Sequence, residues 1–170
     1  MKRWLFLISI GVFGALFIRK FAVEGIYIAT PSMEPTLLVD SNYFMDKVSF
    51  VFRKPRRGEI VVFPSPIGED IDLVKRIVGL PGEKIAIKNK QVFINGQLLP
   101  EPYARFKRKD EILVGDNIDE VEIPRESYFV MGDNRDESGD SATWKDSKTG
   151  APVLFIVEAT IKGRLMGVLE

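Results

Sequence analysis

Two residue types are missing altogether: the chain contains neither cysteine nor histidine. Without cysteine there is no disulfide framework, no thiolate nucleophile and no cysteine-ligated zinc. Without histidine there is no Ser-His-Asp triad, no Cys-His dyad and no imidazole base near neutral pH. Any hydrolytic chemistry must then draw its base from lysine, from a carboxylate, or from water on a metal held by oxygen ligands alone. An excess of charge is missing too. Lys+Arg and Asp+Glu both number 24, so the basic surplus that phosphate backbones require is absent and nucleic acid is not an expected partner.

Helical periodicity is also scarce, apart from the N-terminus. After Met1-Lys2-Arg3, an apolar run extends from Trp4 to Ile18 and meets Arg19-Lys20. That run covers ~22 Å as a helix, against a hydrocarbon core of ~30 Å. Continued to Val23, it is long enough to span if Arg19 and Lys20 snorkel to the interface. A cleaved leader shares the basic start and the apolar length, but no Ala-x-Ala-like site closes this one. The expectation is therefore an uncleaved membrane anchor over residues 1–22. Basic residues at both ends leave its orientation weakly specified.

Residues 23–170 read as one β-rich domain. Predicted strands cover Val23–Ala29, Tyr43–Phe52, Ile60–Phe63, Leu73–Leu80, Lys84–Lys88, Gln91–Ile94, Ser127–Met131 and Val153–Met166. Asn89-Lys90 and Asn95-Gly96 are tight-hairpin signals. Residues 64–70 and 104–119 read as loops. The predicted class is all-β, a folded or barrel-like antiparallel sheet system. The basic runs Arg53–Arg57 and Arg105–Lys109 read as solvated turns, with anionic lipid as the competing partner.

Three segments could carry chemistry. In Thr30–Leu37, Pro31 and Pro35 bracket Ser32 and keep it out of a regular ladder, so its hydroxyl and its N–H have fixed directions. A plain Pro-rich turn explains that segment equally well. In Leu73–Leu80, Lys75 stands inside an apolar strand, with Leu73 and Ile77 on its own face. Desolvation there disfavours the ammonium and makes lysine a usable base; an edge strand guarded by charge is the plainer alternative. Gly132–Ser141 is an acidic polar loop whose spacing does not fit a calcium loop. Lys148-Thr149-Gly150 is not accompanied by the S-x-x-K and S-D-N boxes of penicillin-recognising enzymes. No metal and no cofactor are expected.

Taken together and in order, these boxes resemble bacterial type I signal peptidases. The resemblance rests on Ser32-Met33-x-Pro35-Thr36-Leu37, Arg57-Gly58-Glu59 leading into Ile60–Phe63, Lys75-Arg76 leading to Pro81-Gly82, and Gly132-Asp133-Asn134-Arg135-Asp136-x-Ser138-x-Asp140-Ser141. It spans nearly everything beyond the anchor. It implies that Ser32 is the nucleophile and Lys75 the general base. The Ser32 N–H and the Thr30 hydroxyl would be oxyanion donors, and Ser138 would orient the lysine. Ile28, Met33, Leu37 and Leu73 would line shallow apolar pockets. Arg76, Asp133, Arg135 and Asp140 are expected to support the site; a pairing of Arg76 with Asp133 is our own expectation for what holds the loop, not one the resemblance implies. The implied partners are precursor proteins with Ala-x-Ala-like signal-peptide sites, bound extended as an added strand, together with membrane lipid. The implied place is the cytoplasmic membrane, single-pass, with the catalytic domain on its outer side.

Three features depart from the family or narrow the reading. Ala142 stands where many members have arginine, which would deprive Asp140 of its usual counter-ion. The stretch between Lys75 and Gly132 leaves no room for the large inserted domain of some members. The absence of histidine excludes the Ser–His relatives of the endoplasmic reticulum, but not the organellar Ser–Lys ones. A single-substrate Ser–Lys peptidase and a non-catalytic tethered β-domain are the alternatives.

Overall fold

The computed structural model of the chain describes residues 2–167. Met1 of the predicted anchor and residues 168–170 of the predicted β-rich domain lie outside the described residues. The chain opens with helix α1 (Lys2–Phe21), which contacts the strand after it. Among the described residues, no helix is long and apolar enough to cross a membrane.

Beyond α1 the structure is antiparallel sheet. Strands β1 (Val23–Ile28), β2 (Ser41–Asp46), β3 (Ile60–Pro64), β4 (Asp72–Gly79), β9 (Ser127–Met131), β10 (Ile156–Val157) and β11 (Gly163–Leu165) form seven strands in the order β1-β2-β11-β3-β4-β9-β10. Strands β5 (Lys84–Lys88), β6 (Gln91–Ile94), β7 (Gln97–Leu98) and β8 (Ile118–Glu122) form a second sheet in the order β7-β6-β5-β8. Both orders have two ends, so the antiparallel β expectation holds, while among the described residues the sheets do not close into a barrel.

Local chemistry explains the turns. Asn89-Lys90 and Asn95-Gly96 each join their strands with two residues at positive φ. That is the pairing whose twist matches antiparallel strands, and asparagine and glycine tolerate it best.

Two predicted strands are corrected. Tyr43–Phe52 does not continue as a strand past Asp46. The Asp46 carboxylate accepts the N–H groups of Val48 and Ser49, and the chain coils into helix α2 (Ser49–Phe52). Val153–Met166 is two short strands joined by a 3₁₀ turn at Glu158–Thr160. β10 pairs with β9 at one end of the sheet, and β11 inserts between β2 and β3. One apolar run thus serves two distant places, and a turn between them is obligatory.

Apolar side chains collect in three clusters. Ile28, Met33, Leu37 and Val62 lie in one, Val61, Phe63, Ile77 and Trp144 in a second. Because β3 alternates, Ile60 and Val62 serve the first and Val61 and Phe63 the second. The central strands are therefore apolar on both faces, and β4 carries Lys75 and Arg76 into this surrounding.

Candidate active site

The Thr30–Leu37 segment leaves β1 and forms a 3₁₀ turn at Pro31–Met33. Pro31 opens that turn, where its missing N–H costs nothing. Glu34 N donates to Pro31 O at 3.0 Å, and Leu37 N donates to Met33 O at 3.0 Å. Met33 and Leu37 sink into the core at 1% and 0% exposure, which seats Ser32 against the protein at 7%.

Lys75 lies in β4 opposite Val61 of β3, and is 3% exposed. Its Nζ donates to Ser32 Oγ at 2.7 Å. Burial lowers the Lys75 pKa from 10.5 to about 8, against the raising pull of the Asp140 and Asp133 carboxylates. Among the described residues Lys75 has no salt-bridge partner. Thr30 Oγ1 lies 3.3 Å from Ser32 Oγ. Two side chains distant in sequence are thus in contact, and the amine is the kind that can lose its proton near neutral pH.

The Gly132–Ser141 loop closes over this pair. A Cβ at Gly132 would overlap the Ser138 side chain and the Ser32 carbonyl oxygen, so only glycine allows the approach. Asp133 receives a bidentate pair from Arg76, Nε to Oδ1 at 2.8 Å and Nη2 to Oδ2 at 2.6 Å. Both side chains are nearly fully buried. Asp133 Oδ2 also accepts from Thr36 Oγ1 at 2.5 Å, which ties the loop to the serine segment. Arg76 Nη1 donates to Gly58 O at 2.7 Å, and the guanidinium lies 4.1 Å from the Tyr103 ring centroid. The cation is therefore held both along its edges and on its face.

Asp140 is buried, and burial raises its pKa; the hydrogen bonds it accepts and the Lys75 charge oppose that rise. Its carboxylate accepts from the backbone N–H groups of Gly132 and Ala142, each at 3.0 Å. With alanine at 142, backbone donors do the holding. Arg135 forks onto Glu101 at 2.9 and 2.6 Å and donates to Gly132 O at 3.0 Å. Ser138 Oγ is buried and makes no well-formed hydrogen bond. The bond from Ser138 to the lysine implied by the family is not among the contacts of the described residues; the hydroxyl instead opposes the rise in the Asp140 pKa.

Of the predicted pocket residues, Ile28, Met33 and Leu37 share one cluster, whereas Leu73 packs in another with Phe63 and Trp144. A cleft of about 390 Å³ lined by Lys47, Phe50, Glu126 and Glu158 includes none of the predicted site residues.

Sequence reasoning missed several participants. Asn134 donates from its backbone to Ser32 O at 3.1 Å and from Nδ2 to Pro31 O at 3.0 Å. It stands inside the Gly132–Ser141 box, and that was its signal. Glu101 and Tyr103 had none. The Arg105–Lys109 run is more than a solvated turn. Arg105 N donates to Asp133 O, Arg135 N donates to Arg105 O, and the N–H groups of Lys107 and Arg108 converge on Asp136. The run braces the loop from behind. Nor is Arg53–Arg57 free: Arg53 forks onto Glu59, and Arg57 reaches Val78 O and Glu83.

Comparison with known proteins agrees with this arrangement. A family model described as signal peptidase, peptidase S26, matches residues 1–169. The chain is 37% identical over 143 residues to signal peptidase I P of Bacillus subtilis subsp. natto, covering 82% of this chain and 76% of that one. It is 38% identical over 144 residues to signal peptidase I S of Bacillus subtilis strain 168, covering 82% and 77%. Among solved structures, a signal peptidase I from Enterococcus faecalis superposes with a TM-score of 0.51 at 29% identity, covering 66% of this chain and 97% of that one. The family match runs through the serine segment, the lysine strand and the loop that joins them, and it places this chain in the signal peptidase family, peptidase S26.

Proposed function

We propose that the chain is a membrane-anchored serine endopeptidase that removes signal peptides from exported precursors, with Ser32 as nucleophile and Lys75 as general base. The observation that carries the assignment of roles is the 2.7 Å contact between Lys75 Nζ and Ser32 Oγ in a buried site. Neutral Lys75 accepts the Ser32 hydroxyl proton while Oγ attacks the scissile carbonyl carbon. The Ser32 N–H and the Thr30 hydroxyl receive the developing oxyanion. Collapse breaks the C–N bond, Lys75 returns its proton to the leaving amine, and the signal peptide remains as an ester on Ser32. Water then attacks that ester, Lys75 takes its proton, and the Ser32 oxygen leaves as the hydroxyl.

The substrate would lie extended beside the sheet. Among the described residues, β1 has no partner on its outer edge and Leu73–Lys75 pair only with β3, since pairing to β9 begins at Arg76. β1 leads into the turn that carries Ser32, and the open stretch of β4 ends at Lys75, which suits added-strand binding of a precursor with small residues at its Ala-x-Ala site. Residues 1–22 form the proposed anchor and 23–170 the catalytic domain, on the outer side of the cytoplasmic membrane. Trp4, Phe6, Leu7 and Ile8 of α1 are each more than half exposed, as a lipid-facing helix requires.

The test is cleavage of an Ala-x-Ala precursor by detergent-solubilised wild type, Ser32→Ala and Lys75→Ala. Losses on the order of 10³-fold or more in both variants are expected. Cleavage that survives in Lys75→Ala means another base.

A further inference from the structure

A peptide group is planar, so its C=O and its N–H point in opposite directions. The group joining Pro31 to Ser32 carries the Pro31 C=O on one side and the Ser32 N–H on the other. Whatever holds that oxygen therefore aims that N–H. Pro31 O accepts from Glu34 N at 3.0 Å and from Asn134 Nδ2 at 3.0 Å. The next peptide along the chain is held as well, since Asn134 N donates to Ser32 O at 3.1 Å. One residue grips both peptide planes of the serine.

The rest of the Asn134 side chain shows which of its atoms matters. Nδ2 also donates to Glu137 Oε2 at 3.2 Å, while Oδ1 is buried with no partner among the described residues. The residue is only 1% exposed. An unpaired buried acceptor costs stability, and a leucine of similar volume would avoid it. The amide is thus retained for its nitrogen. A hydrogen bond to the carbonyl also polarises the peptide and strengthens the N–H on its far side.

We propose that Asn134 is a positioning residue for the oxyanion donor: its Nδ2, on Pro31 O, sets the direction and strength of the Ser32 N–H. The proposal rests on the reading of Ser32 as nucleophile. The oxyanion exists only in the transition state and the tetrahedral intermediates, so loss of Nδ2 falls on turnover and spares substrate binding. It also spares Lys75, whose pKa is set by burial, Asp140 and Asp133.

The test uses the full chain in detergent with Asn134→Leu, and Asn134→Ser as the smaller polar variant should leucine impair folding. Expected is a fall in kcat on the order of 10²-fold with KM within about threefold, because one donor is misdirected and ground-state contacts are kept. The pH midpoint of cleavage stays at its wild-type value. A peptide aldehyde ending in Ala-x-Ala, which forms a hemiacetal oxyanion, loses affinity in step with kcat; the matching peptide alcohol does not. A folded variant with kcat within about threefold of wild type overturns the proposal. So does a loss shared by KM or accompanied by a shifted midpoint. Ser32→Ala separates the two readings. If it still cleaves, the nucleophile assignment fails; if it is inactive while Asn134→Leu turns over normally, only the positioning role of Asn134 fails.

Discussion

Replacing Lys75 with methionine should abolish cleavage and make the protein more stable. The Lys75 pKa falls from 10.5 to about 8 through burial. At about 1.4 kcal/mol per unit, the buried ammonium costs roughly 3 kcal/mol at pH 7 relative to the unfolded chain. Methionine fills a similar volume without a charge and forfeits the bond to Ser32 Oγ, worth about 1 kcal/mol. The net expectation is a gain of about 2 kcal/mol at pH 7. The sign of the pH dependence comes from proton counting. Between pH 8 and 10.5 the unfolded state binds the extra proton, so wild type gains stability with rising pH across that window. The advantage of Lys75→Met should shrink through it and reverse by about 1 kcal/mol above it, where only the lost hydrogen bond remains. Urea unfolding of both proteins in detergent, at about pH 7 and above about pH 10, measures the difference. Activity should fall on the order of 10³-fold or more. A variant less stable than wild type at neutral pH, or a stability gap that ignores pH, refutes the claim that Lys75 is held at a desolvation cost.

Four further outcomes rest on the same geometry. Wild-type kcat/KM should rise with pH through a midpoint near 8, the Lys75 value. Asp140→Asn removes a charge that raises that value, so a pH–rate series should find the midpoint lower. Gly132→Ala drives a Cβ into Ser138 and the Ser32 carbonyl; a loss of about 1–3 kcal/mol in unfolding measurements, with a larger fall in kcat, is expected. Arg76→Ala leaves Asp133 buried without its bidentate partner, and chemical denaturation should show about 3–5 kcal/mol of destabilisation. Unchanged stability and activity in that variant would mean the pair does not hold the loop.

How far the sequence could be read depended on whether a feature is local. Asn89-Lys90 and Asn95-Gly96 announce their hairpins because positive φ is a property of the residues themselves. Lys75 stood out because a charge within an apolar strand breaks a local pattern. β8 went unseen for a physical reason. Ile85 pairs with Val121 but Ile87 with Ile118, so an extra residue sits in β8 and its inward residues fall three apart instead of two. α2 was hidden because Val48–Phe52 has strand-like composition and the Asp46 side chain starts the turn by accepting the Val48 and Ser49 N–H groups. The bond between Glu101 and Arg135 and the stacking of Tyr103 on Arg76 join residues far apart in sequence. Such pairs leave no periodicity to find. The same holds for Asn134, whose partners are carbonyl oxygens that every residue possesses.

The loop also explains how a chain without histidine keeps a lysine available as a base. Lys75, Arg76 and Arg135 lie near Asp133, Asp140 and Glu101, and all six are buried or nearly so. Were any carboxylate free to sit against Lys75, its ammonium would be stabilised and the base lost. The pairing prevents this. Arg76 takes both oxygens of Asp133, Arg135 takes both of Glu101, and backbone N–H groups take those of Asp140. Guanidinium suits the task because its fork matches a carboxylate and keeps its charge. Variants at Asp140 and Arg76 should therefore move the cleavage midpoint in opposite directions. Asp140→Asn lowers it by removing a negative charge. Arg76→Ala raises it, because Asp133 loses its partner and a nearby positive charge disappears with the arginine. Arg76→Lys keeps the charge without the fork and should fall between wild type and Arg76→Ala. A pH–rate series on the three variants checks the order, and a midpoint in Arg76→Ala at or below the wild-type value would show that Asp133 does not act on Lys75 through its pairing.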